Sequence, residues 1–112
     1  MLRGEIYVAD LGPPLGNERG GARPVVVVSD DVSNLYPYMV AVVAGEDTAT
    51  MSAKSGLLVP AAESGAPMDI VFLTHQLRAL DPSRFSDQPC GVVPPHLMVK
   101  LAFALKVYLD IP

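Results

Sequence analysis

The chain has 112 residues, half of them apolar and only 18% charged, which excludes a disordered tail and predicts one domain spanning residues 1–112. Eleven Pro and nine Gly favour a compact β-rich fold with many turns over a helical bundle. Eight Lys and Arg stand against twelve Asp and Glu, and the net charge of −4 argues against a broadly basic nucleic-acid-binding surface. Local clustering of arginines can still create a positive groove on an acidic protein.

The single cysteine, Cys90, excludes an intrachain disulfide and a cysteine-based zinc cluster, and burial statistics favour a small, partly buried side chain there. His75 and His96 lie far apart in unlike contexts, so we expect no metal site and no cofactor. The N-terminus carries charges where a signal sequence needs an apolar run, and no segment approaches the roughly 20 apolar residues of a membrane span. These features predict a cytoplasmic protein without membrane segments.

The first half of the chain reads as three strands separated by loops. Alternating residues predict a strand from Glu5 to Ala9, followed by a Gly-rich charged loop from Asp10 to Ala22. Loops this long in small domains are usually functional or disordered. The run Val25 to Val28 predicts a strand buried on both faces. A third strand, Met39 to Ala44, leads into a polar loop from Gly45 to Ser55.

The second half predicts shorter strands and a terminal helix. Leu57 to Val59 and Ile70 to Thr74 read as strands, and Gln76 to Leu80 is a further candidate. Asp81-Pro82-Ser83 is typical of an N-cap with Pro at the first helical position. From Pro95 onward, apolar residues recur at the spacing of an amphipathic helix, namely Leu97, Leu101, Leu105 and Tyr108. Five to seven short strands and one helix predict a mainly β fold, a small barrel.

Two segments carry a family resemblance. The opening RGEIYVADLGPPLGNERGGARPVVVVS (Arg3 to Ser29) resembles the amino-terminal signature of MazF/PemK (Kid-like) toxins, in which a strand and a Gly/Glu-containing loop precede Arg-Pro and a hydrophobic strand. HQLRALDPSRF (His75 to Phe85) is similar to the family's Asp/Glu-Gln-x-Arg-x-hydrophobic-Asp-x-x-Arg segment. The resemblance implies an SH3-like barrel of the plasmid-toxin/PemK type and a symmetric homodimer. It also implies sequence-specific, metal-independent cleavage of single-stranded RNA and a cognate antitoxin as partner.

The residues of the first motif suit cleavage through the RNA's own 2′-OH, which attacks the adjacent phosphorus. Arg23 is the leading catalytic candidate, because a guanidinium can clamp two phosphate oxygens and stabilise the charge that develops there. Arginine stays charged and is a poor proton donor. Glu18 lies in the same loop and matches an acidic position of the family motif. It could accept the 2′-OH proton or orient Arg23, or it could be a solvated loop carboxylate.

The third catalytic position departs from the family pattern. Relatives usually carry Thr or Ser just after the strand equivalent to Val40–Ala44, whereas an ungapped reading places Glu46 and Asp47 there. Thr48 fits after a shift of two residues, which keeps the side chain on the same strand face, and we assign it to the catalytic set. If Glu46 occupies the position instead, its carboxylate would repel the scissile phosphate and weaken activity.

The remaining candidates are assigned to substrate binding, together with Glu46. His75 stands where many relatives have an acid and could titrate near neutral pH, or it could be an incidental substitution. Gln76 can hydrogen-bond a base edge of single-stranded RNA. Arg19 and Lys54 are candidates for backbone phosphates, or ordinary surface charges.

Two other functions compete with RNA cleavage. CcdB-like toxins share the barrel but are non-catalytic and bind DNA gyrase, which does not require the loop of Glu18 and Arg23. A plain SH3-like interaction module would need an aromatic groove, yet among few aromatic residues only Tyr36 and Tyr38 lie close together in sequence.

Overall fold

The structure is a computed structural model that describes residues 1–36, 38–48 and 56–112. In chain order the elements of the described residues are β1 (Glu5–Asp10), β2 (Ala22–Val27), a 3₁₀ turn (Ser33–Leu35), β3 (Val40–Asp47), β4 (Leu57–Val59), α1 (Ala61–Ser64), β5 (Ile70–Leu80), a 3₁₀ turn (Pro82–Arg84), β6 (Gly91–Val92) and α2 (Pro95–Tyr108). The six strands form one antiparallel sheet in the order β4-β5-β3-β2-β1-β6, which curls into a half-barrel. The predicted mainly β, barrel-like fold with a C-terminal helix is confirmed.

The valine run of β2 is buried on both faces of the sheet, as predicted. Val26 packs into a cluster that includes Leu97 and Leu101 of α2. Val25 and Val27 point the other way, into a second cluster with residues of β1, β3 and β5. All three valines are fully buried, so β2 contributes side chains to both hydrophobic clusters of the core.

Strand β3 extends further than its sequence predicts, because it continues through Gly45 to Asp47 instead of ending at Gly45. A Cβ at Gly45 would lie 2.7 Å from Ile70 Cγ2 and 2.8 Å from Phe72 Cδ1, so only glycine lets β5 approach this closely. The expectation that Gly45, Glu46 and Asp47 belong to a loop is therefore wrong. Glu46 is a strand residue, and its direction is set by the sheet.

The two predicted segments Ile70–Thr74 and Gln76–Leu80 are one strand, β5, which contains a large bulge. Val43 of β3 lies opposite Leu77, and Gly45 lies opposite Phe72. The residues from Leu73 to Gln76 therefore face a single residue of β3. Bulges redirect side chains and often lie next to active sites. Here the bulge leaves His75 exposed, while Leu73 remains buried.

The helix α2 covers one face of the sheet. Leu97 and Leu101 are buried in the core, as predicted, and Leu105 packs partly against it. Tyr108, which the spacing places on the same stripe, is 56% exposed, so its assignment to the core face is wrong. Tyr108 is the last residue of α2, and it borders open clefts beside the β5 bulge. Within the described residues, no helix is long and apolar enough to cross a membrane.

Candidate active site

The loop between β1 and β2 is folded back on itself and held at its neck. Leu11 N donates to Gly21 O at 2.9 Å, and Gly21 N donates to Gly12 O at 2.9 Å. A Cβ at Gly20 would lie 2.5 Å from Pro14 Cδ, so the chain passes over itself where only glycine fits. The functional residues of this loop are therefore presented by a defined backbone.

Arg23 stands where the loop enters β2. It pairs with Ala9 of β1, whereas the ladder to β3 begins only at Val25, after Pro24. A proline, which has no backbone N–H, fits at this end of the strand. The Arg23 side chain is half-buried, and its Nε donates to Gly20 O at 2.9 Å. That bond fixes the guanidinium through Nε and does not use the two terminal nitrogens, which are the ones that can clamp a phosphate.

Glu18 is exposed at the far side of the same loop. Its Oε1 accepts a hydrogen bond from Leu15 N at 3.1 Å, which holds the carboxylate in place without burying it. The residue borders an open cleft of ≈430 Å³ between the loop, the β5 bulge and the end of α2. A carboxylate in this position can reach a ligand that lies in the cleft.

Arg19 and Glu46, both predicted to bind substrate, form an ion pair with each other. Arg19 Nε donates to Glu46 Oε1, and Arg19 Nη1 also donates to Asn17 O at 3.3 Å. Glu46 is only 8% exposed. A carboxylate this deeply buried needs a partner, and Arg19 supplies the compensating charge. The expected repulsion of a phosphate by Glu46 is therefore offset by the adjacent guanidinium.

Gln76 joins the β5 bulge to the loop. Its Oε1 accepts from Arg19 N at 3.1 Å, and its Nε2 donates to Asn17 O at 3.0 Å. The side-chain amide thus bridges the two residues that flank Glu18. One oxygen lone pair and one N–H of the amide remain beyond these two bonds, enough for a contact with a base.

Thr48 lies apart from this network. Thr48 is exposed, just after the end of β3, and its backbone N–H donates to Asp69 O at 3.3 Å, in the turn before β5. Of the two residues considered for the family's hydroxyl position, Glu46 is the one that contacts the loop of Glu18. Lys54 lies outside the described residues.

Sequence reasoning missed four residues of the cleft, namely Asn17, Leu77, Arg78 and Tyr108. The full lining is Asn17, Glu18, His75, Gln76, Leu77, Arg78 and Tyr108. Asn17 acts through its backbone carbonyl, which any residue could supply, so no sequence signal marks it. Tyr108 could have been suspected from the sequence, because it is a tyrosine in the last turn of an otherwise aliphatic helix stripe and tyrosine favours sites where its hydroxyl reaches solvent. Among the described residues, no three His, Cys, Asp or Glu side chains lie together as a metal ion would require.

Comparison with known proteins supports the family resemblance. The sequence profile of PemK-like, MazF-like toxins of type II toxin-antitoxin systems matches residues 2–109. The endoribonuclease EndoA of Bacillus subtilis is 36% identical over 90 residues, which cover 79% of this chain and 77% of that protein. The endoribonuclease MazF2 of Mycobacterium bovis is 32% identical and covers 99% of this chain and 98% of its own length.

Solved structures agree on the fold. MazF from Deinococcus radiodurans superposes with a TM-score of 0.82 at 21% identity, over 99% of this chain and 97% of that one. An endoribonuclease in complex with its cognate antitoxin, from a mycobacterial species, superposes with a TM-score of 0.76 at 25% identity, over 100% and 97% of the two chains. With the profile match over nearly its whole length, the chain belongs to the PemK-like, MazF-like toxins of type II toxin-antitoxin systems.

Proposed function

We propose that this chain is the toxin of a type II toxin-antitoxin pair and acts as a sequence-specific, metal-independent endoribonuclease on single-stranded RNA. Its relatives over most of its length are named endoribonucleases, and one structural neighbour was solved with its cognate antitoxin. The observation that carries the proposal is the anchoring of Arg23 through Nε to Gly20, at the base of the loop that presents Glu18 to the cleft. Gyrase binding, the alternative, is not favoured by the family comparisons.

In the proposed reaction the RNA supplies its own nucleophile. The 2′-oxygen forms a bond to the adjacent phosphorus as Glu18 accepts its proton, and the bond from phosphorus to the 5′-oxygen breaks. The terminal nitrogens of Arg23 stabilise the additional negative charge on the phosphoryl oxygens. His75, which also borders the cleft, is the side chain assigned to protonate the leaving 5′-oxygen. The products are a 2′,3′-cyclic phosphate and a 5′-hydroxyl.

We assign Arg19 and Glu46 a positioning role for the loop, because each compensates the other's charge beside the Glu18 backbone. Thr48 remains a candidate for the family's hydroxyl position, and Lys54 a candidate for a backbone phosphate. If Thr48→Ala lowers the cleavage rate tenfold or more while the fold is retained, Thr48 acts in the reaction. An unchanged rate would remove it from the catalytic set.

The assembly is proposed to be a homodimer that works in the cytoplasm. The outward face of α2 carries three exposed apolar side chains, Val99, Phe103 and Val107, which suit a self-complementary contact around a two-fold axis. The profile match over residues 2–109 supports a single domain for the chain. A stable monomer in light scattering at micromolar concentration would contradict the dimer.

The proposed activity is tested by incubating the purified protein with a long RNA that has structured and unstructured parts, in EDTA, and mapping the cut sites. We expect cuts at one short motif in unpaired regions. Arg23→Ala should lose the activity, and Arg3→Ala, which removes an exposed arginine ahead of β1, should keep it. If Arg23→Ala cuts as well as the wild type with normal circular dichroism, the catalytic assignment fails and gyrase binding becomes the leading function.

A further inference from the structure

The bulge of β5 and the end of α2 place two ring side chains at the junction of two clefts. His75 and Tyr108 both border the cleft of ≈430 Å³ that Glu18 lines. Both also border a second cleft of ≈320 Å³, whose other lining residues are Gly56, Leu73 and Thr74. Tyr108 and His75 thus lie together where the two clefts meet, between the loop of Glu18 and the β4–β5 side of the sheet.

These rings have the exposure and the surroundings of a stacking platform. Tyr108 is 56% exposed and His75 is also exposed, so their surfaces are available to a ligand. Unpaired RNA bases stack on the faces of Tyr and His side chains, and this stacking tolerates any base because every base has a π-face. The partly buried Leu77 supplies apolar surface in the wall of the first cleft, and the Gln76 amide lines the same cleft.

The surroundings also fit the charge of the ligand. Arg78 lines the first cleft, where its Nη1 donates to Leu11 O at 3.3 Å, and it brings one positive charge to the wall. Glu18 is the carboxylate of the same wall, so the phosphate of a base bound in this cleft must lie nearer Arg78 than Glu18, except at the 2′-OH that Glu18 deprotonates. A base turned toward α2 keeps its own phosphate away from Glu18.

We infer that Tyr108 and His75 form a stacking subsite for one unpaired base of the RNA, adjacent to the scissile phosphate. The ligand class is a nucleobase of single-stranded RNA, and the inference rests on the proposed ribonuclease function. Gln76 lies beside the subsite and can read one edge of the stacked base through the donor and acceptor that the loop does not use.

The test measures binding and not cleavage. The probe is a short single-stranded RNA that contains the mapped cut site, with its 2′-OH replaced by hydrogen so that it stays intact. Tyr108→Ala should weaken binding on the order of 5- to 100-fold, the range expected for loss of one stacked base. Tyr108→Phe should bind within about twofold of the wild type, since the aromatic face is kept. Tyr38→Ala is the matched control, because Tyr38 is 94% exposed in the β2–β3 connection.

A set of abasic probes then locates the base. Removing the base at one position should weaken binding to the wild-type protein and cause no further loss in Tyr108→Ala. If every abasic probe weakens both proteins by the same factor, or if Tyr108→Ala binds like the wild type, the subsite is wrong. A changed mass of Tyr108→Ala in light scattering would assign the ring to a subunit contact and would also overturn the subsite. If the wild-type protein does not cut RNA at all, the proposed function fails, and this outcome is distinct from failure of the subsite.

Discussion

The ion pair between Arg19 and Glu46 gives a stability prediction that can be worked from its burial. Arg19→Gln removes the charge partner of a carboxylate whose side chain is 10% exposed, while the arginine side chain itself is 26% exposed. Breaking a fully buried pair costs about 3–5 kcal/mol, and exposed pairs contribute about 0–1 kcal/mol. The pair lies between these limits and nearer the buried one, so we expect a loss of about 2–3 kcal/mol.

The assay is urea unfolding followed by circular dichroism, with the midpoint compared at constant slope. A loss of this size lowers the melting temperature by roughly 8–20 °C in a domain of about this length. The double variant Arg19→Gln with Glu46→Gln should recover most of the loss, because two neutral amides can hydrogen-bond where the charges stood. Lys100→Gln, on the exposed side of α2, is the control and should stay within about 0.5 kcal/mol of wild type.

The outcome that refutes this reasoning is an Arg19→Gln protein as stable as the wild type. It would mean that solvent reaches Glu46, and that the loop of Glu18 is not held to β3 by charge. A double variant no more stable than Arg19→Gln would also contradict the pair, because the loss would then come from something other than an unpaired carboxylate.

Four further predictions follow from the site and its surroundings. Arg23→Ala should lower the cleavage rate by a factor on the order of 10²–10³ with an unchanged circular dichroism spectrum. Arg23→Lys should restore only part of the rate, because the point charge of lysine cannot make two parallel hydrogen bonds to a phosphate. Full restoration by lysine would refute bidentate phosphate binding by Arg23. Binding to single-stranded RNA should fall with salt at a log–log slope of roughly −1.5 to −3.5, as expected for about two to five phosphate contacts, and a much steeper slope would mean a larger positive surface than assigned. Burial raises the pKa of the Cys90 thiol, so at pH 8 iodoacetamide should alkylate the folded protein more slowly than the urea-unfolded protein; equal rates would contradict this. Hydrogen bonds from Ser83 lower the pKa of the Asp81 carboxylate. The stabilisation from this cap is therefore fully present above the unfolded-state pKa and is lost as pH falls through the folded-state pKa. Asp81→Asn should remove a decline in stability measured below pH 4, and a pH profile identical to that of the wild type would contradict this.

The parts of the fold that are encoded locally could be predicted from the sequence. A run of β-branched residues identifies β2 as doubly buried, and helical spacing from Pro95 identifies α2, since each pattern depends only on the period of one element. The cap at Asp81 is equally local, and its side chain accepts from Ser83 N as expected. The length and motif of the loop of Glu18 and Arg23 also mark it as functional, although they do not indicate what the loop contacts.

The parts that depend on pairing between distant segments could not be predicted. The sequence around Glu46 is typical of a loop, because a charged side chain in a buried strand needs a partner and none is evident nearby in the sequence. The partner in the structure, Arg19, lies 27 residues away. The bulge at Leu73–Gln76 arises from a register shift between β3 and β5, which no alternation within β5 reveals. Tyr108 follows the helical period, and the open clefts beside it are formed with the β5 bulge, which helical spacing does not reveal.

RNA cleavage by 2′-OH attack is tested most directly by removing a single hydroxyl group from the substrate and measuring cleavage. A single-stranded RNA containing the mapped cut site is compared, in EDTA, with the same strand carrying hydrogen in place of the 2′-OH at that site. We predict that the first is cut to a 2′,3′-cyclic phosphate and a 5′-hydroxyl, and that the second is not cut at that position. Cleavage of the deoxy-substituted strand at a comparable rate would show that the RNA does not supply the nucleophile, and the roles given to Glu18 and Arg23 would be wrong.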